Sequence, residues 1–309
     1  MPQASCDGIE VTPNSKVMYR DTMSPQYQSS DLIAELFLIL RTAFFESEMR
    51  SRTYQLRDKR NTQDDPFDEY VYRLLVERLP HDTRCLKAPG PLITPDLVIL
   101  RPHMCHGASL MTLATDLRCI VRVEVKKLER PTGSTIAIAL GLDYNTTPPC
   151  GTLRIYDLHG AALDIRGFYL FVCQETVLDD PSHYRLSALA LCDGNLLNAD
   201  FTYYLSIVGP RTKEVGLGTY SDGANRSRPM LIFANPLGAS ALDHCITLVH
   251  VADNLEQALP QLRYVGRIKR TAPQEGVREF HCYRLRQDVP ETTSTLLSWI
   301  HFLCRLAPL

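Results

Sequence analysis

Hydrophobic residues recur along the chain at two spacings, and these spacings predict a protein built from both helices and strands. One helical pattern covers residues 32–44, with Ser30-Asp31 as its capping residues and one broad apolar face. Another begins at Pro66, a residue suited to the first helical position, and reaches Leu79, just before a second proline. A third helix is predicted over about 291–306, and its apolar content requires either core packing or a dimer contact.

Strand patterns are more numerous than helical ones. Residues 93–100 form a β-branched and aliphatic run, and residues 119–127 alternate strictly between apolar and charged side chains. Further strands are predicted at residues 151–158, 167–174, 184–191 and 201–208. The run at 167–174 is almost continuously apolar, which is typical of a central strand. The expected fold class is therefore α/β, with a central β-sheet of about five or more strands flanked by helices.

Length and composition describe an ordinary globular chain. Its 309 residues suffice for one large α/β domain, and we expect an N-terminal arm over 1–28 and a single domain over 29–309. No apolar run approaches the roughly 20 residues that span a bilayer. The N-terminus also lacks a signal-peptide pattern, so a cytoplasmic location without membrane contact is expected.

The positions of the cysteines, histidines and glycines bear on three features: disulfides, a zinc site and a nucleotide-binding loop. The ten cysteines contain no C-x-x-C pair and several lie in apolar runs, which favours buried, reduced thiols. His103, Cys105 and His106 lack a second ligand pair at the spacing of a tetrahedral zinc site. No glycine loop of the P-loop kind is present, so no nucleotide cofactor is expected.

Three polar residues near two of the predicted strands are the main candidates for catalysis. Asp96 follows a proline in the strand pattern 93–100, while Glu124 and Lys126 share one face of the alternating strand. If these strands pair, Asp96 reaches the same place as the other two. The alternative is an exposed strand face that carries an ordinary Glu/Lys pair.

This trio suits metal-dependent cleavage of a phosphodiester. Two carboxylates supply the hard oxygen ligands that Mg²⁺ prefers, and the substrate phosphate and water complete its shell. The bound metal polarises the phosphoryl oxygen and lowers the pKa of a bound water. A neighbouring lysine orients that water or stabilises the developing charge.

At these residues the sequence resembles the PD-(D/E)xK nuclease superfamily, and within it the type II restriction endonucleases. The matching residues are Pro95-Asp96 and Glu124-Val125-Lys126. The resemblance implies a mixed sheet flanked by helices in a restriction-endonuclease-like core. It also implies Asp96 and Glu124 as Mg²⁺ ligands, the Val125 carbonyl as a further ligand and Lys126 at the attacking water. A preceding helix sometimes donates another carboxylate in this superfamily, here Glu69 or Glu77 unless both simply face solvent.

Two basic regions, at about 209–230 and 263–286, are candidate DNA-recognition insertions. The first is polar and glycine-rich, and its arginines and asparagine can read guanine and adenine. The second carries seven cations against two acids and suits phosphate contacts. A mobile surface loop and an exposed hairpin with a turn near 273–276 are the respective structural alternatives. The candidate DNA-contacting residues are Arg211, Lys213, Asn225, Arg226, Arg228, Lys269 and Arg270, together with Tyr144 and Asn145 in a polar loop after the alternating strand.

Together these features predict a Mg²⁺-dependent, sequence-specific endonuclease that hydrolyses double-stranded DNA. A palindromic site requires two-fold symmetry, so a homodimer is expected. The net charge of −2 gives no general support for DNA binding, because DNA-binding domains are usually basic. A protein with this net charge can still bind DNA if its cations are concentrated in one cleft. The alternatives are a structure-specific repair or junction nuclease and a non-catalytic DNA-binding protein.

Overall fold

The computed structural model describes residues 31–61, 64–88, 95–101, 116–130, 151–156, 162–177, 180–196, 246–272 and 276–288. Several predictions fall outside these residues. They are the arm at 1–28, the strand at 201–208, the insertion at 209–230, the helix at 291–306 and the cluster of His103, Cys105 and His106.

Two helices lie close to their predicted bounds. Helix α1 spans Leu32–Phe44, and the Asp31 carboxylate caps it by accepting hydrogen bonds from the first-turn amides of Ile33 (3.0 Å) and Ala34 (3.1 Å). Helix α2 spans Pro66–Arg78, with Asp65 as its cap. A third, short helix, α3, spans Leu255–Ala258. None of the helices in the described part of the chain has the length and apolar character needed to cross a membrane.

The described residues contain twelve strands, and several of the short ones were not predicted. The bounds in chain order are β1 Phe45–Ser47, β2 Arg50–Ser51, β3 Thr53–Gln55, β4 Arg84–Lys87, β5 Leu97–Leu100, β6 Ile120–Arg130, β7 Thr152–Tyr156, β8 Ala162–Val177, β9 Asp180–Asp193, β10 Ile246–His250, β11 Leu262–Ala272 and β12 Gly276–Leu285. A 3₁₀ turn at Arg286–Asp288 follows. The prediction for 93–100 was too long at its start, since Pro95 and Asp96 precede β5; proline has no N–H to give to a ladder.

Ten of these strands form one mixed sheet, which confirms the predicted fold class. The order along the sheet is β11-β12-β10-β9-β8-β6-β5-β4, with β3 paired to β9 and β7 paired to β8. The pairs β6/β8 and β9/β10 are parallel, and all other pairs in this sheet are antiparallel. The long strand β8 lies between β6 and β9, in the central place that its apolar run predicts.

One face of the sheet forms the hydrophobic core with α1 and α2. Alternation along β6 directs Val121, Val123 and Val125 to this face, where they join the buried side of α1. Arg122, Glu124 and Lys126 point to the opposite face. The predicted division of β6 into an apolar and a charged side is therefore confirmed.

The last two strands form a hairpin tied to the rest of the sheet. Strands β11 and β12 pair antiparallel, as the predicted hairpin requires, and residues 273–275 of the expected turn lie outside the described residues. Beyond β12, Asp288 accepts a hydrogen bond from Arg41 Nε at 2.8 Å, and both side chains are buried. This buried pair joins α1 to the end of the described chain. Five described cysteines, at positions 85, 119, 173, 192 and 282, are buried and reduced, as predicted for them.

Candidate active site

Asp96 and Glu124 are brought together by the pairing of β5 with β6. The antiparallel register places Leu97 opposite Val123, so the residue before β5 lies beside Glu124 and Val125. The Asp96 carboxylate accepts a hydrogen bond from the Val125 amide at 2.8 Å. It also lies within hydrogen-bonding reach of Glu124. Two acids that are 28 positions apart in sequence therefore lie side by side where β5 begins next to the interior of β6.

The Glu124 carboxylate is buried and contacts two cations of its own strand. Its Oε1 accepts a hydrogen bond from Arg122 Nη1 at 3.0 Å, and its Oε2 lies 3.5 Å from Lys126 Nζ. The side chains of Arg122 and Glu124 are 1% and 7% exposed, whereas Lys126 is 16% exposed. Lys126 is therefore the member of this row that is most open to solvent.

Burial raises the pKa of Glu124, and the neighbouring Asp96 carboxylate raises it further. Lys126 and Arg122 oppose this effect by stabilising the ionised form. Two carboxyl groups in contact need either a shared proton or a cation between them, because two adjacent negative charges repel. Oxygen donors in such a pair fit Mg²⁺, which takes one or two carboxylates and completes its shell with water and substrate.

The Val125 carbonyl faces the same side of β6 as the Val125 amide. In an extended strand the N–H and C=O of one residue point to the same side. The amide donates to Asp96. The carbonyl is thus directed toward the edge where Asp96 lies, which fits its implied role as a further oxygen ligand.

Helix α2 adds Asp68, which the sequence reasoning missed. Burial raises the pKa of Asp68 to about 8, and the carboxylates of Asp65 and Asp96 contribute to this rise. Lys127 and Lys126 act in the opposite direction. Because Asp96 and Lys126 both influence its ionisation, Asp68 belongs to the electrostatic environment of the candidate site.

The other two acids considered on this helix have different surroundings. Arg57 donates hydrogen bonds to Glu69 at 2.8 and 2.6 Å, and these hold the pKa of that carboxyl below its ordinary value. Glu77 is exposed in the last turn of α2. Two turns of helix and more separate it from Asp68, or about 13 Å at ~1.5 Å per residue. Asp68 is therefore the α2 carboxyl nearest to the pair.

Lys127 provides a useful contrast with Lys126. It lies on the opposite side of β6 and contacts Asp65 at 3.0 Å and Glu129 at 3.2 Å. Burial alone would lower the pKa of Lys127, but these two carboxylates more than offset that effect and raise it. Adjacent lysines on one strand thus have separate environments, and only Lys126 contacts Glu124.

The hairpin formed by β11 and β12 is only partly available for contacts with DNA. Arg284 is buried and donates to Glu48 at 2.5 Å, while Arg286 donates to the carbonyls of Pro260 and Leu262. Lys269 remains about half exposed and forms an ion pair with Glu279 at 2.9 Å. Among the described residues of this hairpin, Lys269 and its exposed neighbours therefore remain as candidates for phosphate contacts.

The remaining DNA-contact candidates lie outside the described residues. They are Tyr144, Asn145, Arg211, Lys213, Asn225, Arg226 and Arg228, together with the side chain of Arg270. Among the described residues, no group of three or more His, Cys, Asp or Glu residues is arranged to hold a metal ion. Comparison of the chain with protein-family models, curated proteins and solved structures found no match.

Proposed function

We propose that this protein is a Mg²⁺-dependent endonuclease that hydrolyses phosphodiester bonds in double-stranded DNA, of the type II restriction class. The observation that supports this most strongly is the pairing of β5 with β6, which places Asp96 beside Glu124 and within 2.8 Å of the Val125 amide, with Lys126 Nζ 3.5 Å from Glu124. A protein that only binds DNA has no use for two adjacent acids at a phosphate, because they repel it.

Each residue of the site has a distinct role in this proposal. Asp96 and Glu124 hold the cation through carboxylate oxygens, and the Val125 carbonyl supplies another oxygen. Mg²⁺, when bound, polarises the scissile phosphate and lowers the pKa of a bound water. Lys126 donates a hydrogen bond to the attacking water and stabilises the negative charge that develops on the phosphoryl oxygens.

Asp68 is the third acid in this proposal. With a pKa of about 8 it retains a proton at neutral pH in the metal-free protein. A cation at the neighbouring carboxylates favours loss of that proton, since positive charge stabilises the ionised form. Asp68 then becomes an anionic acceptor at the side of the site formed by α2.

Binding of DNA is assigned to cations of the hairpin formed by β11 and β12, at the opposite edge of the sheet from β4 and β5. Lys269 and Arg267 are about half exposed on the hairpin and share the partner Glu279. Phosphate contacts of this kind fix the position of a duplex and carry no sequence information. Base reading is assigned to the region 209–230, and a homodimer accounts for recognition of a palindrome.

The experiment is incubation of unmethylated phage DNA with the purified full-length protein, with Mg²⁺ or with EDTA. Variants Asp96→Asn and Lys126→Ala test the site, and Lys59→Ala is the charge-matched control because Lys59 is exposed. We expect discrete, Mg²⁺-dependent fragments from the wild type and the control, and at least a hundredfold less cleavage from the two site variants.

Other outcomes separate the alternatives. Cleavage confined to branched or mismatched substrates would replace the restriction-type proposal with a structure-specific nuclease. Intact DNA in every reaction, together with a gel shift by folded protein, would refute the enzymatic proposal and favour a binding protein. Sedimentation of the free protein tests the homodimer.

A further inference from the structure

Arg122 lies two residues before Glu124 on β6, so both side chains are on the same face of the sheet. Its side chain is 1% exposed, and its Nη1 donates to Glu124 Oε1 at 3.0 Å. A buried guanidinium beside a buried carboxylate is costly unless the geometry is good. Because Glu124 is also a candidate metal ligand, this ion pair can affect how Glu124 binds a cation.

The neighbouring strand is shaped to receive the guanidinium. Gly167 of β8 pairs directly with Arg122, and a Cβ atom at Gly167 would lie 2.5 Å from Arg122 Nε and 2.8 Å from Cζ. Only glycine leaves space for the guanidinium there. Tyr169, which pairs with Glu124, places its ring centroid 5.8 Å from Arg122 Cζ, a cation–π distance.

These contacts divide the two oxygens of Glu124 between different partners. Oε1 is held by Arg122, while Oε2 lies on the side of Lys126 at 3.5 Å. Mg²⁺ requires near-octahedral geometry at about 2.0–2.1 Å and accepts one oxygen from each carboxylate, whereas Ca²⁺ readily takes both oxygens of one carboxylate at ~2.3–2.6 Å. A glutamate with one oxygen already occupied suits the smaller ion.

We propose that Arg122 is a positioning residue that occupies Oε1 of Glu124, so that Glu124 presents only Oε2 to the cation and the site favours Mg²⁺ over Ca²⁺. This inference rests on the proposed function, because it assumes that a divalent cation binds at Asp96 and Glu124. Gly167 and Tyr169 are the residues that hold Arg122 in this place. Arg122 itself contacts neither the cation nor the substrate.

The test measures cation binding rather than cleavage. Full-length protein is titrated with Mn²⁺, free Mn²⁺ is followed by electron paramagnetic resonance, and Mg²⁺ or Ca²⁺ is added as competitor. Arg122→Met removes the hydrogen bond, and Gly167→Ala displaces the guanidinium without removing it. Arg118→Met is the control, because Arg118 is half exposed and pairs with Asp116 on the same approach to β6.

We expect both test variants to shift the Mg²⁺/Ca²⁺ preference toward Ca²⁺ by about tenfold or more, the range typical of residues that orient metal ligands. The control should keep the wild-type ratio. Arg122→Lys keeps the positive charge but lacks the planar guanidinium, so its Mg²⁺/Ca²⁺ preference should lie between those of wild type and Arg122→Met. If Arg122→Met or Gly167→Ala does not fold, the Mg²⁺/Ca²⁺ preference of Arg122→Lys tests the inference instead. An unchanged ratio in the folded variants would overturn the inference.

Failure of the proposed function gives a different result. If wild-type protein binds Mn²⁺ no better than Glu124→Gln, there is no cation site at Glu124 and the proposed function fails with this inference. If wild type binds Mn²⁺ through Glu124 and the variants keep its ion preference, only the role of Arg122 is wrong.

Discussion

Replacing Asp68 by asparagine tests the electrostatics of the candidate site directly. The pKa of Asp68 rises from 3.8 to about 8, chiefly through burial. Between these two values the folded protein holds a proton that the unfolded chain has released. Stability therefore falls as pH rises through this window, since the unfolded state binds fewer protons than the folded state. Asparagine cannot ionise, so the variant escapes this loss.

The magnitude follows from the width of the window. Each pH unit between the two pKa values corresponds to ~1.4 kcal/mol, which gives a ceiling of about 6 kcal/mol above pH 8. Asp68 is half-buried rather than fully enclosed, so water screens part of this effect. We expect Asp68→Asn to gain about 2–3 kcal/mol relative to wild type between pH 5 and pH 9.

The assay is urea unfolding of both proteins in EDTA at several pH values from 5 to 9. Glu69→Gln is the matched control, because Glu69 is the next residue of α2 and Arg57 lowers its pKa below the ordinary 4.5. A carboxyl whose pKa is lowered in the folded state stabilises the protein at pH values above its ordinary pKa, and this stabilisation is lost only as the pH falls. The control should thus lose a constant amount of stability between pH 6 and pH 9.

Magnesium supplies a second test of the same prediction. A cation at Asp96 and Glu124 would stabilise the ionised form of Asp68, so added Mg²⁺ should narrow the difference between wild type and Asp68→Asn at pH 8. A difference that stays flat from pH 5 to 9 would refute the reasoning, because Asp68 would then ionise at an ordinary pKa. If the difference in unfolding free energy depends on pH but does not change with added Mg²⁺, Asp68 is not coupled to the metal site.

Three further substitutions test the framework that holds the site. Asp288→Ala leaves the buried Arg41 without its carboxylate and should cost ~3–5 kcal/mol in urea unfolding; a loss below 1 kcal/mol would indicate that Arg41 finds another partner. Phe37→Ala removes a fully buried ring of α1, and calorimetry should show a loss of ~3–5 kcal/mol, with a much smaller value implying that the core collapses around the gap. Asp31→Ala should cost ~1 kcal/mol by removing the α1 cap, whereas the stability of Asp31→Asn should stay near that of wild type. Equal losses in both variants would assign the effect to the contact between Asp31 and His250, whose side chains lie 3.2 Å apart.

Local patterns in the sequence predicted those parts of the fold that depend on neighbouring residues. The alternation of β6 identified its two faces, and the capping residues placed the starts of α1 and α2. The charge and turn residues of 263–286 predicted the hairpin formed by β11 and β12. In each case the determining interactions join residues a few positions apart, so their spacing carries the information.

Features that depend on distant packing were missed. The short strands β1 to β4 are too brief for a periodic pattern, and β3 pairs with the distant strand β9. Asp68 and Glu69 are adjacent acids in one helical turn, and only the docking of α2 decides which faces Asp96 and which meets Arg57. The burial of Arg122 depends likewise on the parallel register that places Gly167 beside it.

The charge balance at the site links the lead prediction to the proposed function. Asp68, Asp96 and Glu124 carry three negative charges when all are ionised, and Arg122 and Lys126 supply two positive charges. Burial raises the pKa of both Asp68 and Glu124, and the negative charge of Asp96 adds to each rise. Either protons or a cation must restore the balance. Under the proposed function a divalent cation takes this role, and the effect of Mg²⁺ on the difference between wild type and Asp68→Asn is the measurement that tests it.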